Sequence, residues 1–141
     1  QGGTPVSALS LRCIKAAFIY LALGIGLGVT FALDRRLGAS LRPLHAEFNL
    51  WGWVTLLIYG MAYHMLPRFS GRPPRSQRLA EVQSWLAIAG VAFAALGWIA
   101  LVSHLSPARL LLVSGGVLEI VGALLFGALI WDILCLRLPA R

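Results

Sequence analysis

Four long apolar runs divide this 141-residue chain, and they constrain its fold more than any other feature of the sequence. They cover approximately residues 13–33, 44–66, 82–104 and 108–135. A helix needs about 20 predominantly apolar residues to cross a hydrocarbon layer about 30 Å thick, and each run reaches that length. The sequence therefore predicts an all-α integral membrane protein, with one transmembrane domain over residues 1–141 that forms a four-helix bundle in the lipid bilayer.

The composition agrees with a membrane environment rather than with a soluble domain. Hydrophobic residues make up 59% of the chain, charged residues only 12%, and the mean hydropathy is +0.82. Soluble domains carry about twice that share of charge. The net charge of +7 does not indicate nucleic-acid binding, because the basic residues lie at the ends of the apolar runs and not along one helix face. We expect no nucleic-acid partner.

The distribution of basic residues predicts an orientation. Positively charged loops stay on the cytoplasmic side of a membrane. If both termini and the loop between the second and third runs share a side, that side holds eight basic residues and the other holds four. We therefore expect both termini in the cytoplasm of a bacterial-type inner membrane. The eight are Arg12, Lys15, Arg68, Arg72, Arg75, Arg78, Arg137 and Arg141; the four are Arg35, Arg36, Arg42 and Arg109.

Turn-forming and small residues indicate how the helices connect and pack. Asp34 and Gly38 close the first helix, and Pro43 is expected to open the second, because a proline at a helix start loses no hydrogen bond. Gly24 and Gly28 form a G-x-x-x-G pattern, which lets membrane helices approach closely. The short connection makes the first two helices antiparallel neighbours.

Ionisable residues inside apolar runs are functional candidates, since a charge in the bilayer is costly. His45 and His104 are expected near the outer side of the membrane, whereas His64 lies nineteen residues after His45 and roughly 28 Å from it along a helix. We expect Glu47 to form a surface ion pair with Arg42 or Arg109, and His64 and Asp132 to pair near the inner interface with Arg68 and Arg137. Glu119 is the most deeply placed charge, and could be neutral, paired or part of a proton route.

One stripe of the second helix leads away from His45. Residues at helical spacing along it include two glycines, so the stripe is flat. Such a stripe below a histidine suits the edge of a porphyrin whose iron is bound by the imidazole. Close packing against another helix would produce the same pattern, with the histidine satisfied at the interface. The stripe consists of His45, Asn49, Gly52, Leu56, Gly60 and Tyr63.

A family resemblance bears on this choice. The segment LHAEFNLWGW from Leu44 to Trp53 and its continuation YGMAYHMLPR from Tyr59 to Arg68 resemble the second transmembrane helix of haem-copper oxidase subunit one, most closely in its nitric oxide reductase and cbb3 branches. In that family this helix begins with a histidine that binds haem b. The resemblance implies haem b as cofactor, His45 as its axial iron ligand, and Gly52 and Gly60 where the helix passes the ring.

The chain also departs from that family. The family's other haem ligands and the histidines of its binuclear metal centre lie on later helices, and this sequence contains no His-His pair. A binuclear oxygen- or nitric-oxide-reducing site cannot form in one such chain. His104 could supply a second ligand, although it matches no family motif and an interfacial histidine is the simpler interpretation.

Three functions follow as hypotheses. The first is a b-type haem membrane protein that transfers electrons to or from a redox partner or binds a small gas such as O2 or NO. The second is a cofactor-free assembly or structural membrane protein. The third is a transition-metal handling protein that uses His45, His64 and His104.

The resemblance also implies an oligomer. The family's twelve-helix subunit is similar to three four-helix arcs around a pseudo-threefold axis, and this chain has the length of one arc. We therefore expect a homo-oligomer, a trimer or else a dimer in which two copies of His45 bind one haem. Closed cyclic assemblies are the usual outcome for identical chains.

Overall fold

The computed structural model describes residues 6–71 and 75–134, apart from the side chain of Asp132. Within these residues every regular element is helical. The expected pairing of Asp132 with Arg137 lies outside the described residues. The elements are α1 (Ala8–Leu33), α2 (Arg35–Glu47), a π-helical segment (Phe48–Thr55), α3 (Leu56–Ser70), α4 (Gln77–Val102) and α5 (Ala108–Leu134).

Three of these helices are long and apolar enough to cross a membrane, namely Ala8–Leu33, Gln77–Val102 and the stretch Ala108–Trp131. Their outer faces carry large apolar side chains. Leu110 and Leu124 each expose 70% of their surface, and Trp131 exposes 68%. Surfaces this apolar suit contact with lipid or with another protein rather than with water.

The second apolar run belongs to a longer helix than the sequence predicts. The backbone stays in the right-handed helical region through Glu47, Phe48, Thr55 and Leu56. The elements from α2 to α3 therefore form one continuous rod over residues 35–70, which we call the long helix.

The predicted start of this helix at residue 44 is wrong. The helix begins at Arg35 because the Asp34 side chain accepts hydrogen bonds from the backbone N–H groups of Arg36 and Leu37, at 2.8 and 3.4 Å. This is N-capping. Pro43 lies inside the helix, where it removes one backbone donor. Consequently His45 does not open the helix but lies about 15 Å from its beginning.

The π-helical segment is held at both ends by side chains. The Asn49 amide donates to the backbone oxygen of His45 at 2.7 Å, and the Thr55 hydroxyl donates to that of Leu50 at 2.8 Å. Widened turns of this kind leave carbonyl groups with poorer backbone partners, so donors from side chains stabilise them.

The four rods pack as a rhombus. The long helix and α4 lie on the short diagonal and contact each other, while α1 and α5 lie on the long diagonal and make no mutual contact within the described residues. Successive rods are antiparallel, so α1 runs parallel to α4 and the long helix parallel to α5. We call the two ends of the bundle the Asp34 end and the Gln77 end.

The contact between α4 and α5 is the closest in the bundle. A methyl group on Gly115 would lie 2.5 Å from the Ala94 nitrogen, and one on Gly97 would lie 2.7 Å from the Leu112 nitrogen. Backbones touch at both points. The small residues of the third and fourth apolar runs therefore serve helix packing.

A polar network crosses the core nearer the Gln77 end. Gln83 is fully buried, accepts a hydrogen bond from the Tyr63 hydroxyl at 3.0 Å and donates to the backbone oxygen of Gly122 at 3.2 Å. These bonds join α3, α4 and α5. Because a buried amide needs partners, the network fixes the relative rotation of the three helices.

Candidate functional site

His45 lies between the long helix and α1. Its Nδ1 is 2.9 Å from the backbone oxygen of Gly24. A carbonyl oxygen only accepts, so Nδ1 carries the proton and donates it. In the neutral imidazole, Nε2 is then the nitrogen with the lone pair. The ring of Phe31 lies 5.5 Å from the imidazole, centre to centre.

Asn49 contacts the imidazole without using this lone pair. Its amide nitrogen is 3.4 Å from both Nδ1 and Nε2. Because the Asn49 amide nitrogen is equally far from both ring nitrogens, it lies on the plane midway between them. The lone pair of Nε2 points in a different direction. The strong bond of the Asn49 amide is to the backbone oxygen of His45. Nε2 therefore keeps its capacity to bind a metal ion.

The glycines of α1 allow the close approach at His45. A methyl group on Gly24 would lie 2.6 Å from the Asn49 amide nitrogen, and one on Gly28 would lie 3.3 Å from His45 Cε1. The side chains of His45 and Asn49 thus pack against the G-x-x-x-G pattern of the first apolar run. Both glycines are part of the His45 environment.

Gly52 and Gly60 do not border an open surface. A methyl group on Gly52 would lie 2.6 Å from Tyr20 Cβ. One on Gly60 would lie 2.8 Å from Ile14 Cγ1 and 3.0 Å from the Ser10 backbone oxygen. Helix α1 covers this part of the stripe, so the helix-packing interpretation describes these two glycines. They do not provide a face for a porphyrin within the single folded chain.

The other two histidines lie elsewhere. His104 is exposed in the turn between α4 and α5, with a left-handed backbone at φ 55°. His64 accepts a hydrogen bond from Arg68 on the surface of α3, as the sequence indicates. Among residues 6–71 and 75–134, no group of three or more His, Cys, Asp or Glu side chains could hold a metal ion. The structure therefore does not assemble the three histidines of the transition-metal hypothesis.

A pair of carboxyl groups lies near mid-depth in the bundle. Glu47 of the long helix and Glu119 of α5 bring their carboxyl groups next to each other. Glu119 exposes 7% of its surface, and Gly90 of α4 makes room for it, since a methyl group there would lie 2.8 Å from Glu119 Cγ. The expected ion pair of Glu47 with Arg42 or Arg109 is wrong, because this carboxyl group points into the bundle.

The chemistry of this pair follows from its contact. Two carboxyl groups can hydrogen-bond only if one of them carries a proton. In each carboxyl group the oxygen Oε1 is buried and has no hydrogen-bond partner among the described residues. Tyr20 borders the same region of the core, and its hydroxyl donates to the backbone oxygen of Ile88 at 2.9 Å. The pair can hold one proton in an otherwise apolar interior.

Sequence reasoning singled out Glu119 but missed its partner. A signal was present, because Glu47 is twelve residues from the start of the long helix and Glu119 eleven from the start of α5. These helices are parallel, so both carboxyl groups lie about 17 Å from the Asp34 end. The sequence predicts the start of the long helix nine residues too late, at residue 44 instead of Arg35. With that start, the equal depth of the two carboxyl groups cannot be recognised.

Comparisons with known proteins give no family for this chain. No protein-family model, no curated protein and no solved structure matches it.

Proposed function

We propose that this chain is a b-type haem membrane protein in which Nε2 of His45 is an axial ligand of the iron. The resemblance of residues 44–68 to the second helix of haem-copper oxidase subunit one supports the cofactor. The observation that carries the proposal is the hydrogen bond from His45 Nδ1 to the Gly24 backbone oxygen, at 2.9 Å. Histidines that bind metals commonly donate their other ring N–H to a carbonyl or carboxylate, which fixes the tautomer and the ring orientation.

The haem would approach His45 from outside the single chain. Gly52 and Gly60 are covered by α1, so the ring cannot lie along the lower part of the stripe. The imidazole is itself only half-buried, which leaves access for a group bound between His45 and a neighbouring molecule. Bound haem would supply one-electron redox chemistry or an open position for O2 or NO.

A second axial ligand is the reason to expect an oligomer. His104 lies in an exposed turn and has no contact with His45 among the described residues. A second copy of the chain can supply another His45. A dimer with one haem on its axis and a trimer built like the arcs of the oxidase subunit are the two arrangements proposed.

The membrane topology belongs to the same proposal. Besides the three apolar helices, the long helix is the proposed fourth span, since its residues 44–66 are apolar and it packs against α1, α4 and α5. The excess of eight basic residues over four supports the proposal that the Gln77 end faces the cytoplasm of a bacterial-type inner membrane. His45 then lies in the outer half of the bilayer.

A cofactor-free assembly or structural protein is the second candidate function. It is favoured by the glycine contacts at Gly24, Gly52 and Gly60, which are all explained by packing of α1 against the long helix. This alternative requires no ligand at His45.

Absorption spectra of the purified protein, oxidised and reduced, distinguish the two functions. Haem b gives a sharp band in the reduced state, and His45→Ala is expected to lose the haem. His64→Ala is the matched control, because His64 is a half-buried histidine of the same long helix that bonds to Arg68. A colourless wild-type protein after expression with haem supplied, or a His45→Ala variant with unchanged haem content, contradicts the proposal.

Two further measurements address ligation and assembly. Loss of the low-spin spectrum in His104→Ala would place the second ligand within the chain and contradict the shared site. The mass of the particle in mild detergent and its haem content per chain distinguish the two oligomers. One haem per two chains indicates the dimer, whereas three chains with one haem each indicate the trimer. A monomer that retains haem contradicts both.

A further inference from the structure

We infer that the cleft between α1 and α4 at the Gln77 end is a binding site for an anionic phospholipid. The cleft has a volume of about 460 Å³ and opens on the side of the bundle. Its position and lining are independent of His45, so this inference rests on membrane insertion and not on haem. It is lined by Ala8, Leu11, Arg12, Lys15, Ala16, Ile19, Trp85 and Ile88.

The polar groups of the cleft are cations. Arg12 and Lys15 are one helical turn apart on α1, and the guanidinium carbon of Arg12 lies 4.8 Å from the centre of the Trp85 ring on α4. The contact with the ring orients the guanidinium group by a cation–π interaction. Neither residue forms an ion pair with a carboxylate in the part of the chain that the structure describes. Two positive charges are therefore available to a phosphate.

The remaining lining is aliphatic and extends deeper along the helices. Arg12 and Lys15 lie in the first two turns of α1, within about 10 Å of the helix start, whereas Ile19 lies about 16 Å from it. Ile88 of α4 lies at the matching depth. A ligand that fits both parts has an anionic head at the helix ends and an apolar tail directed into the bilayer.

An anionic phospholipid has this distribution of groups. Basic residues at the cytoplasmic surface attract anionic headgroups, and clefts between membrane helices on that side bind them specifically. The Gln77 end is also the end with the larger number of basic residues. Charge complementarity at the mouth and apolar contact along the wall thus select a lipid over a soluble phosphate compound.

Quenching of Trp85 by brominated lipids tests the site. The full chain is reconstituted in phosphatidylcholine vesicles that contain either brominated phosphatidylglycerol or brominated phosphatidylcholine at equal mole fraction. The fluorescence of Trp85 is obtained by subtracting the fluorescence of the Trp85→Phe counterpart from that of each protein. Stronger quenching by phosphatidylglycerol is expected, and the double variant Arg12→Gln with Lys15→Gln is expected to lower this preference by about fivefold for each charge removed.

Two control proteins separate the cleft from surface charge and from misfolding. Arg35→Gln with Arg36→Gln removes the same charge from exposed positions at the Asp34 end and is expected to keep the preference. Arg12→Lys with Lys15→Arg keeps both charges and is expected to keep it as well. The site is rejected if the first control loses as much preference as the double variant, or if the double variant retains it.

Other occupants give different results. If inorganic phosphate protects the detergent-solubilised protein against thermal unfolding to the same extent as a short-chain phosphatidylglycerol, the ligand is not a lipid. If the double variant changes the number of chains per particle in detergent, a second copy of this chain occupies the cleft. Either result overturns the inference.

Discussion

The carboxyl groups of Glu47 and Glu119 lie next to each other near mid-depth in the bundle, although the two residues belong to separate, parallel helices. Neither carboxyl group has a basic partner among the described residues. In an apolar interior we expect two neighbouring carboxyl groups to share a single proton, because two bare negative charges there would repel each other.

Infrared spectroscopy is expected to detect this proton. The carbonyl stretch of a protonated carboxyl group should be present at neutral pH in the wild type, and Glu119→Gln should remove it, because the amide can donate to the Glu47 carboxylate in place of the shared proton. Glu81→Gln, which changes a half-buried glutamate of α4 at the Gln77 end, is the control and should leave the band unchanged. A wild-type spectrum without the band contradicts the shared proton.

Removing one partner without replacement should destabilise the bundle. Glu119→Leu leaves the Glu47 carboxyl group without the neighbouring carboxyl group with which we expect it to share a proton, and a loss of about 1–3 kcal/mol in the free energy of unfolding is expected. Glu119→Gln should lose less, since it keeps a donor in place. Reversible unfolding in mixed micelles measures both, and equal losses for the two variants would show that the contact with Glu47 is unimportant.

The packing of α1 on the long helix predicts a contrast between two glycines. Gly52→Ala brings a methyl group to 2.6 Å from Tyr20 Cβ, and such overpacking is expected to destabilise the protein by about 1–3 kcal/mol. Gly26→Ala, on the open side of α1, meets nothing within 4 Å and should be neutral or slightly stabilising. A lower thermal midpoint for Gly26→Ala than for Gly52→Ala would contradict the observed face of α1.

The buried amide of Gln83 predicts a graded series. Tyr63→Phe removes the hydrogen bond at 3.0 Å but leaves the bond to Gly122 at 3.2 Å, so a loss of about 1 kcal/mol in stability is expected. Gln83→Leu removes both bonds and leaves the buried Tyr63 hydroxyl without its acceptor, so a larger loss is expected. If Gln83→Leu is as stable as the wild type, the network does not fix the rotation of these helices.

Asn49 links the π-helical segment to the imidazole. Asn49→Ala removes the bond at 2.7 Å to the His45 backbone oxygen and the amide that contacts the ring. A loss of about 1 kcal/mol in stability is expected, together with a shift of the imidazole resonances of His45 in the NMR spectrum. Thr55→Val, which removes the hydroxyl bond at the other end of the segment, should lower stability but leave those resonances in place.

Much of the fold is readable from the sequence, because long apolar runs in lipid have few alternatives to helices. The predicted runs at 82–104 and 108–135 correspond to Gln77–Val102 and Ala108–Leu134. The start predicted for the second helix is wrong, since Pro43 lies inside this helix and Asp34 is its N-cap. Proline marks a helix start in many sequences, but a membrane helix tolerates it internally.

The candidate site was less predictable than the fold. His45 was identified from its position and from the family resemblance, but its bond to Gly24 depends on how two helices are rotated against each other. The sequence also predicts Glu47 at the surface, because the packing that turns its carboxyl group into the bundle depends on the rotation of the helices as well. A helical pattern gives the face on which a residue lies, whereas the neighbour that this face meets depends on the packing of the whole bundle.

The π-helical segment sets the angular phase between the two halves of the long helix. Because each residue of a π turn rotates the chain less than a residue of an α turn, the side chains after Thr55 point in directions that an uninterrupted α-helix would not give them. Winding these same eight residues as an α-helix would turn Gly60 and Tyr63 away from their contacts while leaving His45 in place. The π-helical winding of this segment therefore keeps His45 and Tyr63, on either side of it, directed at their separate neighbours.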